Sequence, residues 1–215
     1  MKKPEKVLSY YVLCNKLKNT IRTGWENWHV NADRVESIAE HVYGVQMLAL
    51  AMASEYKYDI DLEKVILMLA IHELEETIIG DLTLFQIDKA TKEEEGHKAV
   101  KRILKNLVKG KEIEKIILEF DARETEEAKF AYQCDKLECA IQAKLYGERN
   151  TVDLNHQEGN ISMNDPKVQE LLGTGKGFGE MWMMFWEQKA VYDKNFLEVS
   201  NYALDNKIDN IDQEI

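Results

Sequence analysis

The sequence predicts an all-α fold. Three observations carry that expectation: proline stands only at Pro4 and Pro166, apolar residues recur at three- and four-residue spacing, and helix-start signatures stand ahead of them. Leu8, Val12, Leu13 and Leu17 form the stripe of a first helix, which ends before a turn at Thr23-Gly24-Trp25. Ser37-Ile38-Ala39-Glu40 is a capping box, so a second helix starts there and carries His41 in its first turns. Asp61 caps a third, which runs through Val65, Leu69 and Ile78 to Gly80; it is apolar nearly all round from Val65 to Ile71 and is expected to be central and buried. Thr91-Lys92-Glu93-Glu94 opens a charged helix reaching about Val108, and a shorter one spans Glu112 to Phe120. Thr125 starts a long helix through Gly147, with the stripe Phe130, Cys134, Leu137, Ile141 and Leu145.

From Asn150 to Gly179 the texture changes to Asn, Asp and Gly, which reads as loop. Its glycine run, Gly173 to Gly179, lacks the P-loop order and follows no apolar strand. A last helix, about Glu180 to Leu204, carries Trp182, Phe185, Trp186, Tyr192 and Phe196, an aromatic stripe suited to a core or a dimer contact. The expected organisation is one domain over residues 1–150 and an extension, 151–215, packing on it or at a dimer interface.

Composition narrows the function classes. Thirty-nine acidic against 28 basic residues give a formal charge of -11, with no basic stripe for a nucleic-acid polymer. No apolar run is long enough for a membrane span, and the chain reads as cytoplasmic. Cys14, Cys134 and Cys139 have neither CxxC spacing nor paired histidines and read as reduced thiols in or near the core. His29, His97 and His156 read as surface residues.

The informative segment is His72-Glu73-Leu74-Glu75-Glu76, followed by Gly80-Asp81. On a continuous helix His72 and Glu76 share a face and Glu73 lies about 100° round, so adjacent ligands can reach one ion. A solvated acidic helix end is the bland alternative. The apolar turns before it favour a buried cluster, whose imidazole and carboxylates need partners such as a metal. Ferritin-like sites need Glu three residues before each His, where this chain has Ile38 and Leu69; HExxH fails because position 76 is Glu.

Arg22-Thr23-Gly24-Trp25, Glu36 to His41, His72 to Leu82, Glu127 to Phe130 and Asp135 to Glu138, in that order, resemble the HD-domain metal-dependent phosphohydrolases, and within them the 5′-deoxynucleotidase branch. The likeness covers roughly residues 8–148. It implies an HD-domain helical bundle with a C-terminal extension, and one divalent cation held by His41, His72, Glu73 and Asp135. Such a donor set suits Mn, Co, Fe, Ni, Zn or Mg. It further implies a catalytic pair, Glu76 and Asp81, acting on a metal-activated water. Arg22, Trp25 and Asp81 would contact substrate, with Glu73 and Asp135 facing it. The implied reaction is hydrolysis of a small nucleotide, a deoxyribonucleoside 5′-monophosphate, by a homodimer. The family's second motif is His-Asp, and this chain has His72-Glu73. Two alternatives stand beside it: an HD hydrolase of alarmones, whose pattern needs an acid where Thr77 stands, and a degenerate HD protein that binds nucleotide or a partner without turnover.

Overall fold

In the computed structural model residues 2–214 are described, and their regular secondary structure is helical; among them the β pairing is confined to an isolated bridge between Ile21 and Ser37. None of the described helices is long and apolar enough to cross a membrane. The chain forms two compact units, residues 1–23 with 36–132, and residues 24–35 with 133–215.

In the first unit, α1 (Lys3–Cys14) leads into a 3-10 turn, Asn15–Lys18. The expected stripe is only partly a core: Leu17 is buried, whereas Leu8 and Val12 are 61% and 62% exposed. After α2 (Thr23–Asn27), a short helix where a turn was expected, α3 (Ile38–Glu55) starts at the foreseen capping box. Ser37 Oγ accepts from the Glu40 amide at 3.3 Å and the Glu40 carboxylate accepts from the Ser37 amide at 2.9 Å. α4 (Leu62–Ile71) is capped by Asp61, whose carboxylate accepts from the Lys64 amide. It buries Val65, Met68 and Leu69 but leaves Leu67 46% exposed, so one face meets solvent, as apolar residues often do.

The third helix does not run unbroken to Gly80. It stops at Ile71, and α5 (Glu76–Ile79) is a separate single turn. Between them the amides of Leu74, Glu76 and Thr77 bond carbonyls three residues back. His72 Nδ1 lies 2.7 Å from the Leu69 carbonyl, which a continuous helix would offer to the Glu73 amide. The imidazole thus competes for the acceptor that would prolong the helix. Gly80, at φ 77°, turns the chain out of α5 in a left-handed conformation that a side chain would strain.

α6 (Lys89–Leu104) begins three residues earlier than expected, with Asp88 as the cap accepting from the Thr91 amide at 3.0 Å; Thr91 occupies the third position. α7 (Gly110–Ala122) packs on α6, and Leu74, Val100, Ile103, Leu104 and Ile117 form a core there. α8 (Glu126–Glu148) is the long helix foreseen, with Thr125 Oγ1 accepting from the Ala128 amide and Phe130, Cys134 and Leu137 fully covered. Its first turns belong to the first unit and the remainder, from Gln133, to the second.

In the second unit the stretch expected to be loop contains α9 (Pro166–Leu172), capped by Asp165 with proline in the first turn. The expected last helix is two: α10 (Phe178–Ala190) and α11 (Lys194–Asp205). Val191 at φ 54° breaks them, and Asp193 caps the second by accepting from Asn195 and Phe196. Trp182 stands edge-on to Trp28 at 6.0 Å, so the aromatic stripe is core within this unit. Of the three cysteines, Cys134 is buried and Cys14 and Cys139 are partly so.

Candidate metal centre

The capping box sets where α3 begins, and so places His41 one turn in, fully buried. The break after α4 places His72, 4% exposed, with Glu73 beside it. A carbonyl can only accept, so the 2.7 Å contact to Leu69 puts a proton on His72 Nδ1 and makes Nε2 the nitrogen that faces Glu73. That Nε2 lies 3.6 Å from Glu73 Oε1, and His41 Nε2 lies 3.7 Å from the same oxygen. These separations exceed a hydrogen bond. They fit the edges of a coordination shell, about 3.4 Å for ligands about 2.1 Å from a shared cation at the tetrahedral angle.

Asp135, on α8, is 2% exposed, and its Oδ2 meets Lys136 Nζ at 2.6 Å. Within the first unit, ligand atoms of His41, His72 and Glu73 lie within 4.8 Å of one another. Two imidazole nitrogens and two carboxylates suit a divalent first-row cation or Mg.

Glu76 extends the cluster. Its side chain is 1% exposed; Oε1 accepts from Lys92 Nζ at 3.1 Å, and Oε2 is buried without a hydrogen bond. Burial, then the charges of Glu73 and Asp81, push its carboxyl well above the ordinary value against the pull of Lys92 and Arg22. Burial also raises Glu75, to about 8, with Glu73 adding to the effect. Lys92 makes a second bond, to the Leu82 carbonyl at 2.8 Å. Burial pulls its ammonium down, but Glu76, Glu73 and Asp81 outweigh this and hold it above the usual lysine value. Sequence reasoning missed Lys92, which sits in a charge-rich run with nothing to single it out.

Asp81 follows the left-handed Gly80, and its Oδ2 accepts from the Thr23 amide at 2.7 Å. Arg22 lies 3.7 Å from Asp81 through Nε and 3.7 Å from Glu73 through Nη1, reaching two of the four expected site carboxylates with its long arm. Trp25, assigned from sequence to substrate, is 3% exposed and stands edge-on to Tyr146 at 5.3 Å in the second unit. The remaining histidines have other partners: His97 pairs with Asp121 at 2.7 Å, His156 with Asp153 at 2.6 Å, and His29 Nδ1 meets the His156 carbonyl at 3.1 Å.

Residues 14–171 match the HD-domain family. The chain is 34% identical to the 5′-deoxynucleotidase HDDC2 of Dictyostelium discoideum over 149 residues, 65% of this chain and 76% of that protein. It is 31% identical to HDDC2 of Danio rerio over 147 residues, 67% and 71% of the two chains. Among solved structures, a conserved hypothetical protein from Pyrococcus furiosus shares 33% identity and a TM-score of 0.60, over 70% of this chain and 87% of that one. A predicted metal-dependent phosphohydrolase from Magnetospirillum magnetotacticum, 21% identical with a TM-score of 0.64 over 94% of both chains, shares the fold. With the family's model matching well over half of it, the chain belongs to the HD-domain family and is a phosphohydrolase related to the 5′-deoxynucleotidases.

Proposed function

We propose that this protein hydrolyses the phosphomonoester of a deoxyribonucleoside 5′-monophosphate, releasing deoxynucleoside and phosphate. The observation that carries the reading is Glu76: a carboxylate almost fully buried, held through one oxygen by Lys92, with the other making no hydrogen bond. A buried acid with an idle oxygen beside a metal-type cluster is placed to take a proton from water. Its raised pKa is the direction a base working near neutral pH needs.

His41, His72, Glu73 and Asp135 are assigned as the cation's ligands, the first three supported by the spacing of their ligand atoms and Asp135 by the family motif. A divalent cation there supplies Lewis acidity, drawing charge from phosphoryl oxygens and making water easier to deprotonate. Glu76 accepts the water's proton as the water oxygen bonds phosphorus and the bond from phosphorus to the 5′-oxygen breaks. Asp81, oriented by the Thr23 amide, passes a proton to the leaving 5′-oxygen so that it departs as the hydroxyl, and Arg22 takes the phosphate's charge. Trp25 is assigned to the nucleoside on the Arg22-Thr23-Gly24-Trp25 motif, with Glu73 and Asp135 bordering the same substrate.

Phosphate release from a panel of deoxyribonucleoside and ribonucleoside 5′-monophosphates, with Mn, Co, Mg or Zn supplied in turn, tests the reading. Turnover of deoxynucleotides that is lost in a folded, metal-loaded Glu76→Gln variant is the expected result. A protein that holds metal and turns over no phosphomonoester overturns it.

A further inference from the structure

α1, the 3-10 turn after it, α5 and α6 border a cavity of about 400 Å³ that has no part in the chemistry above. Its charged lining has one sign: Lys6, Lys16, Arg102 and Lys105, with no acidic side chain. In a chain with 39 acidic and 28 basic residues, chance would mix the signs. Neighbouring Lys101 and Lys109 pair with Glu114 and Glu112, yet no salt bridge joins any of these four to an acid among the described residues. Arg102 and Lys105 alone could be the cations that a helix C-terminus collects. Lys6 and Lys16 come from two other elements, so the end of α6 does not account for the convergence.

The uncharged lining mixes the polar Ser9, Thr77 and Asn106 with an apolar wall that is held in place. Leu13 and Leu107 pack against the core of Leu74, Val100 and Leu104, and Ile103 belongs to that core. Burial pushes the Tyr10 phenol up to about 12, so the ring borders the cavity without adding negative charge. Thr77 and Ile78 close one side, on the same short helix as Glu76. Four unneutralised cations around an apolar and aromatic wall, in a space of small-molecule size, match a ligand with charged phosphates and a flat apolar part.

We propose that this cavity is a second binding site, for a nucleoside di- or triphosphate. Lys6, Lys16, Arg102 and Lys105 take the phosphates, while Tyr10 and Leu107 border the base. The site is independent of whichever phosphoester the metal centre cleaves.

Titration calorimetry on the full chain, with chelator present to keep the metal centre out of the reading, tests this with ADP and pyrophosphate as probes. ADP is expected to bind, at least tenfold tighter than pyrophosphate because the apolar wall adds to the phosphate contacts. Arg102→Glu with Lys105→Glu should weaken ADP at least tenfold, and Lys6→Gln with Lys16→Gln, from other elements, should reproduce the loss, each checked by its melting curve. Arg22→Ala should leave ADP binding unchanged. The proposal is overturned if wild-type protein binds no ADP, if pyrophosphate binds equally well, if folded double variants retain full affinity, or if Arg22→Ala abolishes binding.

Discussion

Lys92 Nζ stands 3.1 Å from Glu76 Oε1 and 2.8 Å from the Leu82 carbonyl, so one ammonium ties the buried carboxylate to the segment that leaves α5. It is both a clamp and a charge. Burial and the charges of Glu73 and Asp81 raise the Glu76 carboxyl, and Lys92 opposes them.

Replacing Lys92 with methionine keeps the stem and removes the charge, so the Glu76 pKa rises further and less of it is ionised at a given pH. The acid limb of the kcat profile should move to higher pH. The rate at neutral pH should fall about tenfold for each unit of that shift, with recovery in alkaline buffer. Phosphate release across pH at saturating metal measures it. A slower enzyme with an unmoved profile would show that Lys92 only holds the segment in place.

Gly147 and Gly179 let α8 and α10 meet backbone to backbone. A Cβ on Gly179 would lie 2.6 Å from Lys144 Cα and 3.2 Å from the Ala143 carbonyl, neither of which can swing aside. Gly179→Ala should therefore cost about 1–3 kcal/mol, as overpacking does, or about 2–4 °C of Tm per kcal/mol. Gly159→Ala is the control: at φ 81° with nothing within 4 Å, it meets strain but no clash and should cost about 1 kcal/mol. Equal melting of the two variants would remove the close approach as the reason for Gly179.

The contrast between α3 and the segment around His72 shows what the sequence could reveal. Ser37 and Glu40 make a local, reciprocal hydrogen-bond pattern, so the start of α3 and the place of His41 in its first turns could be foreseen from four adjacent residues. The break after Ile71 depends on a side chain competing with a backbone amide for the Leu69 carbonyl, which periodicity does not register. Asp193 is a readable cap lost inside one longer expected helix, Asp88 one passed over for the Thr91 box, and Asp165 before Pro166 one lost in a stretch read as loop. The family motif pointed to His41, His72 and Glu73, whose spacing is now visible. Lys92 reaches Glu76 from another helix, sixteen residues along, and such a tertiary partner leaves no mark in local pattern.

If His41, His72 and Glu73 hold the proposed cation, stripping it should lower stability as well as activity, because the ion would bind only where they are assembled. At a free metal concentration a hundredfold above Kd the bound ion contributes about 2.7 kcal/mol. Calorimetric Tm should therefore drop by several degrees on chelation and return when Mn or Co is restored. In His72→Ala that metal-dependent difference should vanish. A Tm indifferent to chelator in both proteins would argue that the cluster holds no ion.

Glu73 is the residue in which this chain departs from the family's His-Asp pair, and its reach is used three ways. Oε1 lies 3.7 Å from His41 Nε2, 3.6 Å from His72 Nε2 and 3.7 Å from Arg22 Nη1. Glu73→Asp keeps the charge but withdraws the carboxylate by roughly one bond length, well beyond the 0.5 Å or so that a ligand site tolerates without rearrangement. If the 72–75 turn has adapted to the longer side chain, cation affinity in Glu73→Asp should fall about 10–100-fold while activity recovers at saturating metal. Competition against a chromogenic chelator gives the affinity, and phosphate release at high metal gives the activity. Tighter binding in the variant would mean that the turn still has the geometry of an aspartate site, with glutamate tolerated there at a loss.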